Sequence, residues 1–249
     1  MGLPRVAVPE YSMTLPSNEK EVKYRPFLVK EEKLLLMAME SEKEDEIMDA
    51  IKNVITNCVQ GDINIDKLPL FDIEYIFLWL RAKSKGEVIE LNYSCPKCKG
   101  KIPVSFSVED IKIHKSDNHS NKVELTDDLG IVLNYPDIVL QNKIASLPDD
   151  LKEVELIFKT ILTCIDYIYD KEKTYSSKDH TEKEMEEFLD SLTDDQFQKL
   201  SKFYEGMPKL RHEIKLECKN KIKEEGKKKE KACGYTEDVV LEGLQSFFG

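Results

Sequence analysis

Long apolar runs are missing from this 249-residue sequence: the longest, YIFLWL at residues 75–80, falls far short of the roughly 20 residues that cross a bilayer. No membrane span is expected. The opening residues, MGLPRVAVPEYSMTLPS, carry no apolar segment followed by a small-residue cleavage site, so export by a secretory leader is not expected either. Myristoylation of Gly2 would need a hydroxyl at position 6, where Val6 stands. Positive charge is in deficit as well. Against 48 Asp and Glu there are 37 Lys and Arg, a net charge of −11, which speaks against a main task of gripping a phosphate backbone.

Catalytic signatures are equally scarce. The four histidines (His114, His119, His180, His212) lie mainly in polar sequence, none in a nucleophile or zinc-hydrolase motif, and no glycine-rich phosphate loop occurs. The carboxylate pairs Asp149 with Asp150 and Asp194 with Asp195 stand at expected helix starts, where they complement the macrodipole. The chain therefore reads as non-enzymatic. Six cysteines are too few for a disulfide-stapled scaffold of this length, and reduced thiols serve as metal ligands or core residues.

What is present is alternating secondary-structure signal. Pro4, Pro9, Pro16 and Pro26 make residues 1–29 an extended arm with one or two short strands. Residues 30–85 form a helical region. Strong helix formers fill 30–39, an amphipathic helix runs over 44–58 with Ile47, Met48, Ile51, Val54, Ile55 and Cys58 in its stripe, and Pro69 opens a third helix. That helix turns Leu70, Ile73, Ile76, Phe77 and Leu80 to one side and ends at Gly86.

Residues 86–146 form a β module in which the period changes to two. Ile89, Leu91 and Tyr93 share one face before a cysteine pair, and Ile102, Val104, Phe106 and Val108 share one after it. Two further strands are expected at 123–125 and 131–135. Residues 147–207 turn helical again. Ser146, Pro148 and Asp149 signal the start of a long helix with Leu151, Val154, Ile157, Phe158, Ile161, Leu162, Ile165 and Ile168 inward, and Thr181 with Glu184 and Thr193 with Gln196 each match a capping box. The acidic segment 179–195 reads as a solvated face before it reads as a docking face for a basic partner. Residues 208–249 hold a strand at 214–217, a second cysteine pair and a short helix from 238 that puts Leu241, Leu244 and Phe248 on one face; Phe247 beside Phe248 cannot share that seam.

The chemical signal is Cys95-Pro96-Lys97-Cys98, between two strand-like runs. Two thiolates at this spacing reach one metal from a tight turn. Cys218 and Cys233, the latter followed by Gly234, complete a four-sulfur zinc site, although fourteen residues separate them where a second knuckle has two. A hydrophilic loop inserted between ligands costs little once its ends are fixed, and His212 is the reserve fourth ligand. Four sulfurs leave no open coordination position, so the zinc would be structural. The competing readings are a redox dithiol at Cys95 and Cys98, disfavoured because strands flank both sides, and no shared function for the four. Cys58 and Cys164, on or beside apolar helical faces, read as small core residues. The lysine-rich run 219–231 offers no arginine and no aromatic residue to stack on a base, so it reads as a solvated loop before a nucleic-acid contact.

Three stretches carry a resemblance: YRPFLVKEEKLLLMAMES (24–41), LWLRAKSKGEVIELNYSCPKC (78–98) and CGYTEDVVLEGLQSFFG (233–249). Together, in this order, they resemble the baseplate hub assembly protein family of T-even-like contractile-tailed phages. The resemblance implies a protein that helps build the central hub of the tail baseplate, as an assembly factor or as a hub component, with no catalytic residues. Its expected partners are other phage tail baseplate hub proteins, and its place is the host cytoplasm during phage assembly or the virion tail baseplate. The alternative is a zinc-ribbon nucleic-acid-binding protein. The expected fold is α+β, mostly helical, with a small antiparallel β module that carries a zinc-ribbon-like site of Cys95, Cys98, Cys218 and Cys233.

Overall fold

The structure is a computed structural model that describes residues 6–41, 43–61, 63–145, 152–223 and 230–247. The expected helix signal at Ser146, Pro148 and Asp149, the Asp149 and Asp150 pair, Leu151, the centre of the lysine-rich run at 224–229, Gly2, Pro4 and Phe248 lie outside the described residues.

The proline-rich start forms strands. Tyr11–Thr14 (β1) and Glu21–Tyr24 (β2) pair antiparallel, and Val59–Gln60 (β3) pairs with the other side of β2. Val29–Ser41 (α1) and Glu44–Cys58 (α2) intervene, and Leu70–Lys85 (α3) follows. The stripe of α2 buries Ile51, Val54, Ile55 and Cys58, as its spacing predicts. In α3 the expected single apolar side is too narrow. Phe71, Leu78 and Ala82 are buried along with Ile73, Ile76 and Leu80, because a helix with six consecutive apolar residues is satisfied only when covered all round. It stops at Gly86, whose φ of +111° glycine adopts without steric cost.

Val88–Ser94 (β4) and Lys101–Ser107 (β5) pair antiparallel with Ile89 opposite Phe106, Leu91 opposite Val104 and Tyr93 opposite Ile102, so the two apolar faces coincide. Lys112–His114 (β6) is a strand that local sequence does not announce. Lys122–Glu124 (β7) and Gly130–Leu133 (β8) pair as expected, and Ile138–Ala145 (α4) is an additional helix.

The long helix expected to reach Ile168 is shorter. Glu153–Cys164 (α5) ends at Cys164, and Ile165–Tyr169 (β9) becomes a strand between β8 and Thr174–Ser176 (β10). The sequence IDYIY is β-branched and aromatic, and pairing with β8 outweighs a continued helical period. Ile165 and Ile168 are buried from that strand, whereas Val154 and Ile157, expected inward, are exposed.

Both capping boxes form. Glu182–Asp190 (α6) starts with the Thr181 N–H donating to the Glu184 carboxylate at 2.8 Å, and Asp194–Gly206 (α7) starts with the Thr193 N–H donating to Gln196 Oε1 at 2.9 Å. Lys209–Glu217 (β11) is longer than expected, Lys221–Lys223 (β12) and Glu230–Ala232 (β13) pair with each other, and Thr236–Glu242 (β14) replaces the helix expected from 238. Val239, Val240 and Leu241 sit in a full ladder with β11, and only Leu244–Phe247 makes a 3-10 turn.

The chain divides into two compact units. One comprises Met1–Ile63, Phe71–His114 and Lys209–Gly249; the other comprises Asn64–Leu70 and Lys115–Pro208. In the first, the β1-β2-β3 sheet, the β4-β5 ribbon, the β14-β11-β6 sheet and the β12-β13 ribbon accompany α1 to α3. Ile89, Ile102, Phe106, Leu210, Leu241 and Phe247 anchor a core that also takes in Cys95, Cys218 and Cys233. In the second, the β10-β9-β8-β7 sheet and α4 to α7 enclose Ile131, Leu133, Ile161, Cys164, Leu200 and Phe203. No helix among the described residues is long and apolar enough to cross a membrane.

Candidate metal centre

The first knuckle is the turn between β4 and β5. The Cys95 N–H donates to the Gly100 carbonyl at 2.9 Å and the Lys99 N–H donates to the Cys95 carbonyl at 2.8 Å, with Lys99 in the left-handed region at φ +59°. This tight loop points both sulfurs the same way. Gly100 has no room for a side chain, because a Cβ there would overlap the Asn220 amide.

The second half is set by the β11-β14 ladder. Glu217 pairs with Thr236, and one step further the Cys218 N–H donates to the Tyr235 carbonyl at 2.8 Å. Fourteen residues separate Cys218 from Cys233, and the described ends of that segment pair with each other: Lys221 pairs with Ala232, and the Cys233 N–H donates to the Asn220 carbonyl at 2.8 Å. Their unusual separation in sequence is thereby cancelled in space. Gly234, at φ +64°, turns the chain out of the ribbon and into β14.

The sulfurs of Cys95, Cys98, Cys218 and Cys233 all lie within 4.8 Å of one another. Cys95 Sγ is 3.7 Å from Cys233 Sγ, and Cys98 Sγ is 3.5 Å from Cys218 Sγ. Four sulfurs at about 2.3 Å from one tetrahedral ion sit about 3.8 Å apart, so the spacing matches that donor set. All four are free thiols; three are buried and Cys98 is partly so. Four neighbouring thiols cannot all ionise unless a cation offsets their mutual repulsion.

Local electrostatics already leans that way at one sulfur. Burial opposes the Cys95 thiolate, but the N–H groups of Cys98 and Lys97 point at it and bring its pKa down to about 7. Burial and the three neighbouring sulfurs push Cys233 in the other direction, up to about 12. Two groups absent from the sequence reading complete the surroundings. Asn220 Nδ2 lies 3.3 Å from Cys218 Sγ and 3.9 Å from Cys98 Sγ while donating to the Lys101 carbonyl at 3.0 Å; Lys97 Nζ donates to the Cys233 carbonyl at 3.0 Å. Amide donors aimed at sulfur are the outer layer that orients ligands and spreads their charge. Nothing in the sequence around Asn220 marks it beyond its place two residues after a cysteine.

Other candidates sort differently. Cys58 and Cys164 are fully buried, and burial pushes each thiol up to about 11, as suits core residues. Two of the four histidines, His119 and His212, are less polar in setting than their sequence context suggests. His212 lies tilted against Phe106 with ring centroids 4.5 Å apart and is not among the clustered groups, and the His119 ring lies 5.1 Å from that of Phe203 and 5.6 Å from that of Tyr135. Phe247 is buried edge-on to Phe106.

Among the described residues, then, the chain offers one closed four-thiol cluster that joins its middle to its end. Comparison with known proteins gives no match among curated proteins and none among solved structures. Among protein families, residues 8–249 match the model described as T4 bacteriophage base plate protein. That match takes in both halves of the cysteine cluster and both compact units, and the chain belongs to the T4 bacteriophage base plate protein family.

Proposed function

We propose that this baseplate-family chain acts in building the tail baseplate hub, as an assembly factor or hub component that works through protein–protein contacts and not through turnover. The observation that carries the reading is family membership over nearly the whole chain. It is supported by the residues themselves: the functional groups brought together are four thiols with no open position, a cross-link and not a reaction centre.

Zinc is the ion we assign to Cys95, Cys98, Cys218 and Cys233. When bound it would supply a structural cross-link, holding the β4-β5 turn against the end of β11. Lys97 ties the turn to the other half by donating to the Cys233 carbonyl, and Asn220 does so from the other side by donating to the Lys101 carbonyl and toward the Cys218 sulfur.

The hub reading is tested in infected cells. Affinity purification of the tagged chain during assembly is expected to recover other hub proteins of the tail baseplate, and mass spectrometry of mature virions then separates the two roles. Absence from virions makes the chain an assembly factor, and stoichiometric retention makes it a hub subunit. Recovery of no baseplate protein at either stage removes the reading. The zinc-ribbon nucleic-acid binder has one feature in its favour, the lysines on β12 and β13, set against a net charge of −11.

A further inference from the structure

Helix α1 is covered on one side only. Ala38 and Glu31 are buried, while Val29, Leu36, Met37 and Met39 are 80%, 51%, 60% and 52% exposed. Isolated apolar residues on a surface need no explanation. On this 13-residue helix Val29, Leu36 and Met37 share one outward face with Met39 at its margin, a surface of the adaptable kind used for binding.

The charges within this surface identify what fits it. Glu31 is held by Arg25 and Lys30, and Glu32 by Lys85. Lys33 and Glu40 remain. Both are exposed, both sit on the outward face with Val29, Leu36 and Met37, and among the described residues neither has an ion-pair partner. They stand seven residues apart, two helical turns, with Leu36 and Met37 midway between them.

That arrangement is complementary to itself. When α1 runs antiparallel against a second α1 about the midpoint of Leu36 and Met37, Leu36 and Met37 pack against the second copy's Met37 and Leu36, and Lys33 meets Glu40. Each contact occurs twice, as a two-fold axis requires. A parallel pairing would instead set Lys33 against Lys33 and Glu40 against Glu40. We propose that the outward face of α1 binds the same face of a second copy of this chain, giving an antiparallel homodimer. The inference rests neither on the zinc assignment nor on the hub role.

A helix of this length spans about 20 Å. One such pair buries far less than the roughly 1,600 Å² of a standard interface, so the dimer is expected to be weak and to dissociate on dilution. Sedimentation equilibrium of the full chain across the micromolar range is the measurement. Wild type is expected to pass from one chain to two. Lys33→Glu and Glu40→Lys, each at an exposed position and checked for native circular dichroism, are each expected to weaken self-association about tenfold or more, because like charges then meet twice.

An equimolar mixture of the two single variants is expected to recover association as a heterodimer, since one chain then carries two carboxylates and the other two ammonium groups along the seam. The double variant Lys33→Glu with Glu40→Lys is expected to pair with itself as wild type does. A wild type that stays monomeric throughout overturns the proposal. So does a dimer indifferent to both single reversals, a variant mixture that fails to associate, or a wild-type monomer whose α1 face is instead taken by a different baseplate protein.

Discussion

Glu31 is nearly fully buried, with Arg25 Nη2 donating to its Oε1 at 2.9 Å and the Leu28 N–H donating to its Oε2 at 2.8 Å. Burial raises its pKa, but the Arg25 and Leu28 hydrogen bonds, helped by Lys30, prevail and hold it below the usual carboxylate range. A carboxylate depressed in the folded state contributes stability that is present above its unfolded pKa, about 4.3, and is lost as pH falls through the folded value. Glu31→Gln is therefore expected to cost about 1–3 kcal/mol at pH 7 and progressively less at pH 4 and below, as read from urea denaturation at each pH. Asp72 has the opposite sign. It is fully buried, and burial raises its pKa against the opposing Ser17 hydroxyl and N–H, so its ionisation opposes folding as pH rises. Neither carboxylate was legible in the sequence, where each reads as an ordinary charge in the first turn of a helix. The cysteines were legible, because two thiols at CxxC spacing in a turn can reach one metal ion.

Among the elements, those whose cause is local were readable and those decided by a distant partner were not. The two Thr capping boxes start α6 and α7 where the sequence puts them, and the alternating faces of β4 and β5 fix their own register. In contrast β6 exists because β11 lies beside it, and β9 and β14 form where apolar spacing alone also suits a helix. The β8-β9 pair is close enough to be tested by one methyl group. Gly130 stands opposite Tyr169, and a Cβ at Gly130 would overlap the Tyr169 ring, over which Lys122 Nζ lies 4.7 Å from the centroid. Gly130→Ala is expected to destabilise the protein by about 1–3 kcal/mol in urea denaturation, and Tyr169→Ala in the same chain is expected to recover part of that loss.

At the scale of the whole molecule, the first compact unit is assembled from three stretches of chain, the last separated from the second by residues 115–208, and the thiol cluster joins those two. If zinc occupies it, binding free energy becomes folding free energy for that unit. One zinc per chain is expected by elemental analysis, reduced by Cys95→Ser and unchanged by Cys58→Ala. Chelation is expected to lower the melting temperature by at least about 5 °C and to speed amide exchange in peptides from 86–114 and 209–242. Peptides from 115–208, whose core contains none of the four clustered cysteines, are expected to keep their protection. Metal-free protein, or a uniform response along the chain, removes the zinc assignment. The joining of middle to end could be anticipated from the cysteines alone. The division into two units could not, because its boundaries fall where the chain re-enters a core it left about a hundred residues before.

The β12-β13 pair insulates the thiol cluster from the length of chain between Cys218 and Cys233. It leaves and rejoins the β11-β14 ladder at neighbours already bonded to each other, Asn220 and Cys233, so it is a side branch off a closed junction. A change of one or two residues in the length of chain between β12 and β13 is expected to leave the zinc content of the four sulfurs unchanged.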